Sequence, residues 1–218
     1  FEDFEECAEQ SVSASGNTLC NGLLDCLGNG GNCYIIIDEN GNKIFRQEDT
    51  TTLYAISSNI KIPSQTQFRL IVRGRTSDNF YASWGVSETS GTSPANRHEF
   101  WVGVNSSGKI IDAMQIHVFN SLGDEYSYNI QSYDQNHYHT YILGITPNDV
   151  KIWADGNYLG HSGISYINVN PANYIHIKTG TSQSGTHDTD WLALAKFIDP
   201  EPTYEIGSEE TIDKIPTI

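Results

Sequence analysis

Apolar and polar residues alternate along this chain with a period of two, in short runs separated by Gly, Asn, Asp, Ser and Pro. That period places successive side chains on opposite faces of an extended strand. In Phe68-Arg69-Leu70-Ile71-Val72-Arg73 the even positions are apolar and two of the odd ones are Arg, which predicts a strand with one buried face. Residues 80–86, 99–104 and 109–119 predict further strands. In the last of these Ile111, Ala113 and Gln115 alternate with Asp112, Met114 and Ile116. Asn40-Gly41, Ser107-Gly108 and Asp155-Gly156 each sit between β-prone runs, where Gly supplies the positive φ of a tight turn. The run 191–198 is apolar on both faces, which predicts a central strand buried between layers. Helical periodicity is hard to find anywhere, so the pattern predicts an all-β sandwich.

Composition sharpens that picture. At 218 residues the chain suits one large all-β domain. It begins at Phe1 and holds one Met, which reads as a processed mature chain or an excised fragment. Its 27 acidic residues against 12 Lys plus Arg give a net charge of −15, which repels phosphate backbones and anionic head groups. Nucleic acid is therefore excluded as a partner, and no apolar run predicts membrane insertion. All four cysteines, Cys7, Cys20, Cys26 and Cys33, fall in the first segment without paired C-x-x-C spacing, so they predict two disulfides rather than zinc. Three connectivities exist, and short loop closures favour Cys7–Cys20 with Cys26–Cys33. Disulfides imply an oxidising compartment, hence a secreted protein at the cell surface.

A family resemblance rests on two stretches. From His137 the chain reads His-Tyr-His-Thr-Tyr-Ile-Leu-Gly-Ile-Thr-Pro-Asn-Asp-Val-Lys-Ile-Trp-Ala-Asp-Gly: a strand over 138–145, a turn over 146–149 and a second strand over 150–155. Near the end it reads Asp188-Thr189-Asp190-Trp191-Leu192-Ala193-Leu194-Ala195-Lys196-Phe197 before Pro200-Glu201-Pro202. Both resemble the concanavalin A-like lectin/glucanase superfamily, with its laminin-G modules and laminarinase-type hydrolases, and most of all its non-catalytic archaeal surface-protein variants. The opening Phe1-Glu2-Asp3-Phe4 is similar to their first strand. The resemblance implies a jelly-roll β-sandwich of two antiparallel sheets over residues 1–200, with a disulfide-stapled insert near 7–33. Residues 201–218 form a tail, either frayed or added as a strand to a neighbouring subunit.

The same resemblance frames the chemistry. Related hydrolases place their carboxylates on one strand as Glu-x-Asp-x-x-Glu or a one-residue-shorter form, with the reacting pair about 5 Å apart. Here Pro94-Ala95-Asn96-Arg97-His98-Glu99-Phe100 offers Glu99 for the final Glu, without the upstream nucleophile or the intervening Asp. The expectation is a protein that is not an enzyme. A structural calcium is implied at Asp190, before Trp191, joined by Glu2 or Asp3, and hard oxygen donors suit that ion. His137 with His139, and His187 beside Asp188 and Asp190, are candidate ligands for a softer metal. The reading preferred for the His-x-His pair is surface partners of a buried Tyr138, Thr140 and Ile142 row. Trp84, Trp101, Tyr126, Tyr128 and Tyr133 lie in strands expected to line a concave face, where aromatic rings stack on sugars. Asn105-Ser106-Ser107 is an N-glycosylation sequon. The functional expectation is a self-assembling subunit of a surface filament or layer, whose partners are copies of itself or surface polysaccharide. The alternatives are a glycan-binding or adhesive module and, more remotely, a divergent glycoside hydrolase.

Overall fold

The computed structural model describes residues 4–13, 17–28, 31–49, 53–57, 67–77, 82–87, 97–102, 105–106, 109–110, 114–119, 125–130, 136–163, 174–179 and 185–197. Its strands in chain order are β1 (Gln10–Ser13), β2 (Asn17–Leu19), β3 (Leu24–Gly28), β4 (Asn32–Ile37), β5 (Lys43–Asp49), β6 (Leu53–Ser57), β7 (Phe68–Thr76), β8 (Ala82–Ser87) and β9 (Arg97–Val102). Then follow β10 (Asn105–Ser106), β11 (Lys109–Ile110), β12 (Met114–Phe119), β13 (Glu125–Ile130), β14 (His139–Ile145), β15 (Val150–Ala154), β16 (Asn157–His161), β17 (Tyr174–Thr179) and β18 (Gly185–Lys196). Sheet A runs β1-β4-β5-β18-β7-β14-β15-β16 and sheet B runs β13-β12-β9-β8-β17-β6-β3-β2, with β10-β11 a separate hairpin. Neighbouring strands pair antiparallel, as in a jelly-roll sandwich. Among the described residues no helix is long and apolar enough to cross a membrane.

β7 shows why the chain folds this way. Phe68, Leu70 and Val72 point inward while Arg69, Arg73 and Arg75 stay on the outer face, so one strand has an apolar side and a cationic side. The facing sheet supplies Trp84 and Phe100, whose rings stack at 5.2 Å, and Tyr141 of sheet A closes on Trp84 at 5.4 Å. Burying a ring of this size contributes about 3 kcal/mol. Trp84 keeps its polar edge satisfied, because Nε1 donates to Thr189 Oγ1 across the sheets at 2.8 Å. At Asp155-Gly156 both residues take positive φ, 48° and 80°, and the chain reverses between β15 and β16.

Several expectations are revised, while the disulfide pairing is the one that short loop closures favoured. The segment read as an insert supplies strands to both sheets: β1 and β4 end sheet A, while β2 and β3 end sheet B. Cys26 on β3 pairs with Cys33 on β4, so one disulfide ties the two sheets together at this end, and Cys7 pairs with Cys20. Phe4 is not in a strand. It lies in a turn where the Cys7 amide donates to its carbonyl, and its ring packs 6.1 Å from that of Phe45. The buried row of β14 is Tyr141, Leu143 and Ile145, not Tyr138, Thr140 and Ile142, because register with β7 sets those residues against Val72, Leu70 and Phe68. The closing strand starts at Gly185, six residues before Trp191, and its first half buries His187, Asp188 and Thr189. Residues 201–218 lie outside the described residues.

Candidate functional site

Three central strands of sheet B, β9, β8 and β17, bring together two ionisable residues that the sequence holds 77 positions apart (176 − 99). Register sets Gly85 of β8 between Glu99 of β9 and His176 of β17. Two strand spacings separate those backbones by about 9.6 Å. Glu99 and His176 nevertheless meet over the glycine, with Glu99 Oε1 2.9 Å from His176 Nε2 and both side chains fully buried. A Cβ on Gly85 would stand 2.8 Å from His176 Nε2 and 2.3 Å from the His98 carbonyl oxygen. The absent side chain is therefore what allows the contact. Ser83 and Ser87, two residues either side of Gly85, are buried as well.

Neither ring nitrogen of His176 has a hydrogen-bond partner among the described residues, so its 2.9 Å approach to Glu99 is a close contact without hydrogen-bond alignment. His98 precedes Glu99 and faces the opposite way, in the row of Phe100. Burial, followed by the charge of His176, holds its imidazole down to about 3, so it stays neutral. A carboxyl and an imidazole as close as Glu99 and His176 can exchange a proton once they are aligned, which is the elementary act of general acid–base chemistry. Water exclusion strengthens the interaction further.

A second charged constellation lies on the outer face of sheet A. Arg46 Nε and Nη2 donate to Asp188 at 2.6 and 2.8 Å, and Arg75 Nε donates to the same carboxylate at 3.0 Å. Arg75 then reaches Glu39 through two more bonds of 2.6 and 2.9 Å. The guanidiniums of Arg73 and Arg75 lie over the ring of Tyr138 at 5.1 and 4.5 Å. Burial, then the Asp188 charge, push the Tyr138 hydroxyl up. Every cation here has an anion or a ring, which is the pattern of a structural clamp.

The residues singled out from sequence are scattered. Trp84 is a core residue and not a glycan contact, because alternation along β8 turns its ring between the sheets. Trp101 lies on β9, and Tyr126 and Tyr128 on β13, with side chains outside the described set. Tyr133 is also outside it. Asn105 opens the β10-β11 hairpin. Asp190 sits at a register shift in β18, and its carboxylate is 3.4 Å from Arg73 Nε. Glu2 and Asp3, its expected calcium partners, lie outside the described residues. Among the described residues no group of three or more His, Cys, Asp and Glu is placed to hold a metal. His187 and Asp188 point to opposite faces: His187 Nδ1 meets Gln47 Oε1 at 3.1 Å in the core, while Asp188 faces the arginines. His139 Nδ1 is bonded to Asp155 Oδ2 at 2.6 Å. Sequence reasoning missed His176 altogether. Its only local signal is a polar residue between Ile175 and Ile177 in a β-prone run.

No protein-family model and no curated protein matches the chain. Solved structures do. A Bacillus licheniformis β-glucanase shares 18% identity at a TM-score of 0.58, covering 86% of this chain and 98% of its own. A glycoside hydrolase family 16 endo-glucanase from Bacteroides ovatus shares 14% at 0.55, covering 88% and 98%. A sialidase shares 9% at 0.57 over 80% of this chain, which spans 17% of the sialidase. These similarities show the fold, a concanavalin A-like jelly-roll sandwich. They also overturn the expectation of a protein that is not an enzyme, since each of these neighbours with this architecture is an enzyme. Sandwiches of this kind host several functions, so function must be argued from the site.

Proposed function

We propose that this protein engages and hydrolyses a polysaccharide outside the cell on the outer face of sheet B, as a divergent glycoside hydrolase. Glu99 is the acid/base group and His176 its positioning residue. The observation that carries this reading is the Glu99–His176 contact at 2.9 Å across Gly85. Glu99 is the residue that matches the final Glu of the hydrolase pattern, and the imidazole 2.9 Å from it limits how its carboxyl can turn. Asn96 in the longer form of that pattern, or Arg97 in the shorter, stands where the intervening Asp belongs, so proton transfer is assigned to Glu99 and no nucleophile is assigned. Glu99 and His176 are both fully buried, so access of a saccharide to the carboxylate is part of what the experiment tests. The glucanase neighbours support a carbohydrate substrate, and the two disulfides support an oxidising, extracellular setting. We also propose a structural calcium at Asp190 with Glu2 or Asp3, for which a rise in melting temperature on adding calcium to chelated protein is the test. Self-assembly through residues 201–218 rests on residues outside the described set.

The experiment is release of reducing ends from a panel of β-glucans and other neutral polysaccharides by the wild type, Glu99→Gln and His176→Asn. Glu99→Gln keeps shape and removes the proton, so turnover falls by about 10²–10⁴ with the circular dichroism spectrum unchanged. His176→Asn lowers turnover less and moves the pH profile. A Glu99→Gln protein as active as wild type, or a wild type that cleaves nothing in the panel, sinks the assignment.

A further inference from the structure

We infer that the outer face of sheet A carries a second saccharide contact, an aromatic platform built on Trp153 and Tyr158 that takes a hexopyranose unit of a neutral polysaccharide. The inference rests on the polysaccharide reading above, but on a different face and different residues.

The platform is assembled by register. A shift between Ile152 and Trp153 places Trp153 of β15 opposite Tyr158 of β16, the strand that ends sheet A. Their rings lie 5.5 Å apart with planes at 59°. The ring of Phe197, which follows β18, meets Trp153 edge-on at 5.9 Å, and the Arg69 guanidinium lies 4.7 Å from Phe197 and 5.8 Å from Trp153. All of this closes over Gly144 of β14, where a Cβ would stand 2.9 Å from both Trp153 Cζ3 and Phe197 Cε1. Trp153 is therefore fixed from below by a bare stretch of backbone, from one side by a phenyl ring and from beneath by a cation. Tyr158 is left 53% exposed beside it. Asn157 next to Tyr158 is exposed, and Lys151 lies two residues from Trp153 on the same strand, so hydrogen-bonding groups flank the rings.

The size of the exposed apolar surface selects the occupant. Among the described residues the exposed large hydrophobics are Tyr158 and Ile37, and Ile37 is 50% exposed. Ile37 belongs to β4, six strand spacings from β16, or about 29 Å. The two do not form one patch. A stable protein partner needs about 800 Å² on each side, whereas an aromatic side chain offers about 150–250 Å² in full. A rigid ring pair of that area with polar groups at its rim matches the apolar face of one sugar ring. The net charge of −15 disfavours an anionic chain and leaves a neutral one.

The test is affinity electrophoresis of wild type, Tyr158→Ala, Tyr158→Phe and Glu99→Gln in native gels containing a soluble β-glucan, with turnover of a short oligosaccharide measured in parallel. The wild type, Tyr158→Phe and Glu99→Gln are retarded alike. Tyr158→Ala binds about tenfold more weakly, while its turnover of the short oligosaccharide is unchanged. Retardation of Tyr158→Ala equal to wild type overturns the platform and leaves the sheet B reading standing. A wild type that cleaves the oligosaccharide but is not retarded does the same, and one that neither cleaves nor is retarded overturns both.

Discussion

Asp188 on the outer face of sheet A and Glu99 on the outer face of sheet B are both buried carboxylates, but they are held differently. Asp188 accepts three bonds from two arginines, and one of those arginines passes the network on to Glu39 at the β4-β5 turn. Glu99 Oε1 lies 2.9 Å from an imidazole neither of whose nitrogens has a hydrogen-bond partner among the described residues. A buried charge costs several kcal/mol unless its lone pairs are filled. The Asp188 arrangement meets that condition and locks β5, β18 and β7 together. Glu99 is paired with an imidazole rather than with guanidiniums. A buried imidazole whose nitrogens have no hydrogen-bond partner among the described residues calls for an explanation other than stability.

The largest effect expected from breaking this contrast is at Asp188. Asp188→Ala leaves the part-buried guanidiniums of Arg46 and Arg75 facing each other without their carboxylate, and removing one partner of a buried pair costs about 3–4 kcal/mol. Chemical denaturation would read it as a fall in midpoint at unchanged slope. A loss below about 1 kcal/mol would show that the clamp is peripheral. Next comes Gly85→Ala. The added methyl collides with the His98 carbonyl, which belongs to the backbone and cannot swing away. Overpacking of this kind costs about 2 kcal/mol. It also drives His176 from Glu99, so turnover falls together with stability. Asp188→Ala lowers stability alone. A Gly85→Ala protein with full stability and activity would remove the glycine from the argument.

How far these features could be read from sequence depends on how local their causes are. The alternation in β7 was legible because each residue carries its own preference for the inner or outer face. The β14-turn-β15 unit was legible too, since Thr146 Oγ1 accepts from the Asp149 amide within four residues of chain. The facing of β14 was not. Tyr141, Ile142, Leu143 and Ile145, with Tyr138 just before the strand, put apolar residues on both sides, and only pairing with β7 decides between them. The polar start of β18 was missed for a related reason. Asp188 can be buried because Arg46 and Arg75 reach it, from 142 and 113 residues away. At the candidate site Glu99 was visible through its pattern. His176 was not, because its role exists only where Gly85 lies between two strands. Trp84 was misassigned because an aromatic residue in a strand looks the same whether it faces the core or a ligand.

Glu39 provides the smallest test and separates the exposed end of the clamp from its buried centre. Its hydrogen bond from Arg75, followed by a backbone hydrogen bond and the Arg75 and Arg46 charges, holds its carboxyl down from 4.5 to about 2. The unfolded chain therefore takes up this proton near pH 4.5 and the folded chain only near pH 2. Its stabilisation is complete above pH 4.5 and is lost as pH falls from there to 2. The side chain is 58% exposed, so solvent screens the interaction. Glu39→Gln is expected to cost less than about 1 kcal/mol at pH 7, and the gap from wild type closes by pH 2. High salt narrows that gap as well, because exposed pairs are screened, whereas the cost of Asp188→Ala persists in the same salt. Equal salt sensitivity for the two variants would mean that Asp188 is held as loosely as Glu39. The comparison between an arginine-clamped carboxylate on sheet A and an imidazole-paired one on sheet B would then lose its basis.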